Sequence, residues 1–136
     1  IPLRLVGSEM CIRDRDELLV VEGEIQHDEY NGGMALRASR ILTVDEARRR
    51  FSRGLQLDFS QSVLPKGFNQ QLKKLVSDHR SATVGGVDQC PIVLLYQRDG
   101  AVAQIVLGEQ WRVQVGESLL QSLTQAFGAD CVRLQY

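Results

Sequence analysis

The chain holds 136 residues, 43% hydrophobic and 24% charged, which excludes a disordered polypeptide and leaves room for one ordinary domain or two very small ones. Sixteen Lys and Arg offset 17 Asp and Glu for a formal charge of -1, so no general field draws in nucleic acid or an anionic membrane, and any such binding must be local. No apolar run approaches the roughly 20 residues that span a bilayer, and the N-terminus lacks the basic and apolar regions of a signal peptide; the chain reads as cytoplasmic, with no membrane partner.

Charge is segregated along the chain. Residues 16–36 carry six acids and no Lys or Arg, residues 37–53 carry six arginines and two acids, and from 54 onward each sign counts seven. The shift ends at Gly54 and predicts a boundary there between an N-terminal piece and a C-terminal domain. In the first piece, residues 18–25 begin as a β-rich apolar run and end alternating, Tyr30-Asn31-Gly32-Gly33 supplies turn chemistry, and residues 34–41 return antiparallel. Thr43 with Glu46 is a capping box, which predicts a short helix over 44–53 ended by Gly54.

The second half alternates at Leu55, Leu57 and Phe59, a strand. Phe68, Leu72, Leu75, Val76 and His79 then recur as the apolar stripe of a helix starting near Pro65. Residues 91–97 and 102–107 predict a hairpin turned at Arg98-Asp99-Gly100, after the Gly85-Gly86 loop. Trp111, Val113 and Val115 alternate as a further short strand. Leu119, Leu120, Leu123 and Phe127 mark a second helix closed by Gly128, and Val132, Leu134 and Tyr136 alternate at the end. The expected fold is α+β: a β-hairpin, then a small domain in the order strand, helix, three strands, helix, strand, with two helices on one face of the sheet.

Little of this is catalytic. Glu22 and Glu24 share a strand face roughly 7 Å apart, a spacing open to a divalent metal or acid/base work, but no third acid or histidine is placed to join them, and a solvated face is the simpler reading. His79 suits packing or a helix C-terminus. Cys11, Cys90 and Cys131 share no CxxC and no metal-ligand spacing with His27 or His79, and Cys90 and Cys131 suit small apolar sites. Neither a catalytic nor a metal site is expected. What remains is a binding pattern: Tyr30 at the hairpin tip with Arg37 and Arg40 on the returning strand joins a stacking ring to phosphate-attracting charge, as in single-strand binders.

These residues also carry a resemblance. Asp16-Glu17-Leu18-Leu19-Val20-Val21-Glu22-Gly23-Glu24, Tyr30-Asn31-Gly32-Gly33, Ala38-Ser39-Arg40, Asp45-Glu46-Ala47-Arg48, Tyr96-Gln97-Arg98 and Trp111-Arg112-Val113 resemble, in order and spacing, the C-terminal end of the bacterial DNA polymerase III alpha subunit family. The resemblance implies that residues 16–53 are the last two strands of an OB fold with a linker helix, and that 54–136 are the domain engaging the tau subunit of the clamp loader. It implies contact of Tyr30, Arg37 and Arg40 with single-stranded template in an intact barrel, and of Val132, Leu134 and Tyr136 with tau. The family's polymerase and phosphoesterase domains lie outside this chain, so this part of a DNA-directed DNA polymerase is expected to be non-catalytic and without cofactors.

Two departures stand out. Residues 1–15 do not resemble the family and look like a translated adapter sequence, so a fragment with a foreign head is expected, its first six residues available to pair with an open strand edge. At the other end the family often carries a sliding-clamp motif of the form QxxLxF; here Cys131 replaces its glutamine, which argues against clamp binding. Two other readings stand beside this one: a free-standing small α+β regulatory or ligand-binding domain, and, more remotely, a small enzyme using Glu22 and Glu24.

Overall fold

Asp28 folds the N-terminal ribbon back on itself. Its carboxylate accepts the backbone N–H of Tyr30 at 3.0 Å and the side-chain amide of Asn31 at 3.1 Å, and its own N–H donates to the Gly33 carbonyl at 2.9 Å. Gly32 and Gly33 take φ of 65° and 118°, values that glycine reaches without a Cβ penalty. The turn joins β2 (Leu19–His27) to β3 (Met34–Thr43) in antiparallel register, the hairpin expected from the sequence. The computed structural model describes residues 3–6, 17–80 and 88–136; Cys11 and the Gly85-Gly86 loop lie outside them. Within the first fifteen residues, β1 (Leu3–Val6) runs parallel to β3 at its other edge, giving the order β1-β3-β2.

The ribbon is amphipathic because of one irregularity. Glu22 opposes Arg40 while Gly23 opposes Ala38, so Ser39 is an extra residue on β3. Its hydroxyl donates to the Glu22 carbonyl at 3.0 Å. A bulge of this kind resets strand parity. Leu36, Ala38 and Ile41 thereby share a face with Val21 and Ile25, whereas a regular strand would send Ile41 to the opposite side from Ala38. Gly23 is required here, since a Cβ would overlap the carbonyl oxygen of Arg37.

Thr43 and Glu46 close the predicted capping box, the Thr43 N–H donating to Glu46 Oε2 at 2.7 Å and the Glu46 N–H to Thr43 Oγ1 at 3.2 Å. Helix α1 (Val44–Phe51) ends two residues before the expected point. Gly54 is not its terminator: it begins β4 (Gly54–Phe59), opposite Gln135, where a Cβ would press on Gln135 Oε1 at 3.1 Å. The chain forms two compact units, Ile1–Ala47 and Arg48–Tyr136, dividing within α1.

In the second unit, β4 is parallel to β5 (Ile92–Arg98), β5 turns through Asp99 and Gly100 into antiparallel β6 (Ala101–Val106), and β7 (Val132–Gln135) pairs antiparallel with β4 on its other side. The order is β6-β5-β4-β7. Parallel neighbours need a crossover, and α2 (Phe68–Val76), entered through Gly67 at φ 74°, lies within it. One cluster joins Leu55, Leu57, Phe59, Ile92 and Leu94 of the sheet to Phe68, Leu72 and Val76 of α2 and Leu119 and Leu123 of α3 (Glu117–Phe127). Since those sheet residues alternate on one face, both helices cover that face, as expected. Phe59, Phe68 and Phe127 meet there with ring centroids 5.2 to 5.7 Å apart.

The strand expected around Trp111 is absent. Residues 109–111 form a 3-10 turn, and Val113 makes a single bridge with Cys90 through two hydrogen bonds of 3.0 and 3.1 Å. The next N–H, of Gln114, goes instead to the His79 carbonyl at 2.9 Å. The alternation of Val113 and Val115 is genuine burial, both being core residues, but the backbone there is shared between two partners and never becomes a ladder.

Candidate interfaces on the two units

The bulge that makes one ribbon face apolar also gathers charge on the other. Arg37 and Arg40 are three residues apart and would point oppositely on a regular strand; here they lie on one face, opposite Glu24 and Glu22 respectively. Arg40 Nη1 lies 3.9 Å from Glu22 Oε2, with both side chains close to half exposed. Toward the turn, Arg37 lines a cleft of about 480 Å3 with Gln26, His27, Asp28, Glu29, Tyr30 and Ala35. Tyr30 is 96% exposed. The structure therefore brings Tyr30 and Arg37 into one cleft and leaves Arg40 farther along the same face. His27, weighed in the sequence only as a metal ligand, also lines this cleft, and its place at the end of β2, beside the turn, follows from the hairpin register.

Glu22 and Glu24 do share a face, but the residues opposite them are arginines. Among the described residues no group of three or more His, Cys, Asp or Glu is gathered in a way that could hold a metal ion. The arrangement is a ladder of exposed opposite charges.

The C-terminal tail separates its three candidates by role. Val132 opposes Leu57 and Leu134 opposes Leu55 across the ladder, and both are half-buried against the core. Tyr136 lies past the end of β7 and is 64% exposed. Cys131 is half-buried in the 3-10 turn Ala129–Cys131 and packs on the same core.

Other groups have structural surroundings. Burial pushes the Cys90 thiol up to about 11. The Ser60 hydroxyl, at 2.6 Å, and its N–H, at 2.9 Å, hold the Asp58 carboxylate below its ordinary range. The Arg80 guanidinium lies 5.1 Å from the centre of the Trp111 ring, and His79 ends the 3-10 turn after α2. A cleft of about 350 Å3 opens beside the loop that leaves β4, lined by Gln61, Ser62, Val63, Leu64, Tyr96 and Gln97; no local pattern announces it, because its walls come from segments far apart in the chain. Among the described residues no helix is long and apolar enough to cross a membrane.

An α+β chain with a charged hairpin face and a partly exposed terminal strand is the class this geometry defines. Residues 71–128 match the family model of the DNA polymerase III subunit alpha, C-terminal domain. The chain is 34% identical over 123 residues to the DNA polymerase III subunit alpha of Vibrio cholerae, and 30% identical over 123 residues to that of Escherichia coli K12, in each case 90% of this chain. With the Pseudomonas aeruginosa protein of the same name it is 36% identical over 130 residues, 96% of this chain, a match that reaches into the first fifteen residues. The chain is thus a relative of the C-terminal region of DNA polymerase III alpha subunits, as the resemblance indicated, and it spans about a tenth of the length of these relatives.

Proposed function

We propose that this chain is a non-catalytic accessory region of a cytoplasmic replicative DNA polymerase, acting without a cofactor. Its role is to tether and position. The observation that carries the reading is the match of residues 71–128 to the C-terminal domain of the polymerase III alpha family, which supports a role in DNA replication. In this proposal Tyr30, Arg37 and Arg40 contact single-stranded template, a ring for stacking beside two guanidinium groups for phosphate. The tau subunit of the clamp loader docks on the C-terminal end, with Tyr136 as the anchor and Val132 and Leu134 supporting it from within the sheet. Clamp binding is left out: Cys131 stands where the motif needs glutamine, and it packs against the core.

Primer extension with magnesium and purified chain tests the non-catalytic part. No incorporation is expected, and incorporation that co-purifies with the chain through every step would overturn it.

The cleft beside β4 and β5 favours a second reading, a small ligand-binding domain, since clefts at the carboxyl ends of parallel strands often receive ligands. Tyr96→Ala with unchanged tau affinity and loss of a bound metabolite would support it.

A further inference from the structure

We propose that Glu22 and Glu24 are built-in competitors for the phosphate groups that Arg37 and Arg40 attract, and so set how tightly the hairpin holds single-stranded DNA. The inference rests on the reading of that face as a nucleic-acid contact. Three observations carry it. The bulge at Ser39 places both arginines on one face, each directly opposite one of the acids. The Glu22 and Arg40 side chains are close enough to attract, 3.9 Å, yet 45% and 43% exposed. The Tyr30 ring, by contrast, stands 96% exposed beyond the ladder.

Exposed ion pairs are weak and exchangeable. A phosphate can therefore displace the Glu22 carboxylate from Arg40, and at Arg37 it must work against the negative charge of Glu24 directly across the ladder. Two consequences follow. Affinity for phosphate alone is held low, so a strand stays bound only where a base also stacks on Tyr30. The salt dependence is shallow as well, because phosphates that meet arginines already offset by neighbouring carboxylates are less fully neutralised and release fewer of the counterions condensed on the strand. Removing the acids frees Arg40 from its pair and relieves Arg37 of the negative charge facing it.

The test is fluorescence anisotropy with a labelled oligothymidylate at low salt, on the whole chain and on three variants: Glu22→Gln with Glu24→Gln, Arg37→Gln with Arg40→Gln, and all four together. Glutamine keeps the shape of glutamate, and far-ultraviolet circular dichroism checks that each ribbon is intact. The glutamate variant is expected to bind about fivefold tighter than the parent, an effect of the size of one exposed ion pair, with a steeper salt slope. That gain is expected to vanish when the arginines are also replaced. An equal gain without the arginines would show only a change in net charge and would overturn the inference, as would no gain, or no binding by either the parent or the glutamate variant. Loss of binding on replacing the arginines, with no gain on replacing the acids, would overturn the competitor role and leave the DNA contact standing. Binding unaffected by the arginine replacements would overturn both.

Discussion

Leu134 stands directly opposite Leu55 across the β4–β7 ladder, and Leu55 is fully buried. An edge strand that contributes to the core in this way cannot surrender its apolar side chain to a partner without exposing the face it covers. Leu134→Ala is therefore expected to cost about 2 kcal/mol, the low end of the range for leucine truncation because Leu134 is only half-buried. Deletion of Tyr136, exposed and past the strand, should change the urea midpoint by an amount equivalent to less than about 0.5 kcal/mol. Equal costs for the two changes would contradict this division of roles.

The three phenylalanines tie β4 to both helices. Phe59 touches Phe68 edge-on at 5.2 Å and Phe127 at 5.7 Å, and it is 2% exposed. Phe59→Ala should cost about 3 to 5 kcal/mol, a large part of the stability of a unit this small. Thermal melting followed by near-ultraviolet circular dichroism reads the loss; a shift of only a degree or two would show that the helices are held some other way.

Gly23→Ala tests the bulge. A Cβ at this position collides with backbone, which cannot swing aside as a side chain can, so the ribbon must open or change register. Amide shifts of residues 36–41 are expected to move together, and the strain to cost about 1 to 3 kcal/mol. Shifts confined to residues 22–24 would mean that the bulge accommodates a methyl group.

Cys90 gives a pH dependence with a definite sign. Burial raises its thiol from 9.0 to about 11, so the folded chain keeps a proton that the unfolded chain releases. The resulting stability is complete below about pH 9 and is lost as pH rises through the folded value near 11. Urea midpoints should fall over that interval, and the fall should be smaller in Cys90→Ala. An identical decline in the variant would assign the dependence to other groups. At neutral pH the buried thiol is also expected to resist alkylation in the native state.

Features set by neighbours in sequence were legible in advance. The capping box at Thr43 and Glu46 is a local exchange of two hydrogen bonds, the turn after Asp28 needs only its own residues, and the helical stripes of α2 and α3 follow from periodicity. Pairing between distant segments was not. Nothing near Gly54 shows that Gln135 lies opposite it, so the glycine reads as a helix end. Val113 and Val115 alternate as in a strand, yet the hydrogen bonds of this segment divide between Cys90 and His79. The bulge left a trace that was open to reading: Leu36, Ala38 and Ile41 break parity, and an extra residue at Ser39 restores it. Of the candidate residues, Tyr30, Arg37 and Tyr136 stand out in the sequence by type and position, but the cross-strand acids opposite the arginines emerge only with the register.

The role proposed for the C-terminal unit is to dock tau. Isothermal titration of tau's alpha-binding region into the intact 136-residue chain, and into the same chain lacking Tyr136, tests this without intermediaries. Saturable binding by the intact chain is expected, weakened by about 2 kcal/mol or more on removal of Tyr136, as for an interface anchor, with melting curves that superimpose. No binding by the intact chain would contradict the docking role, and unchanged affinity without Tyr136 would contradict its place as the anchor.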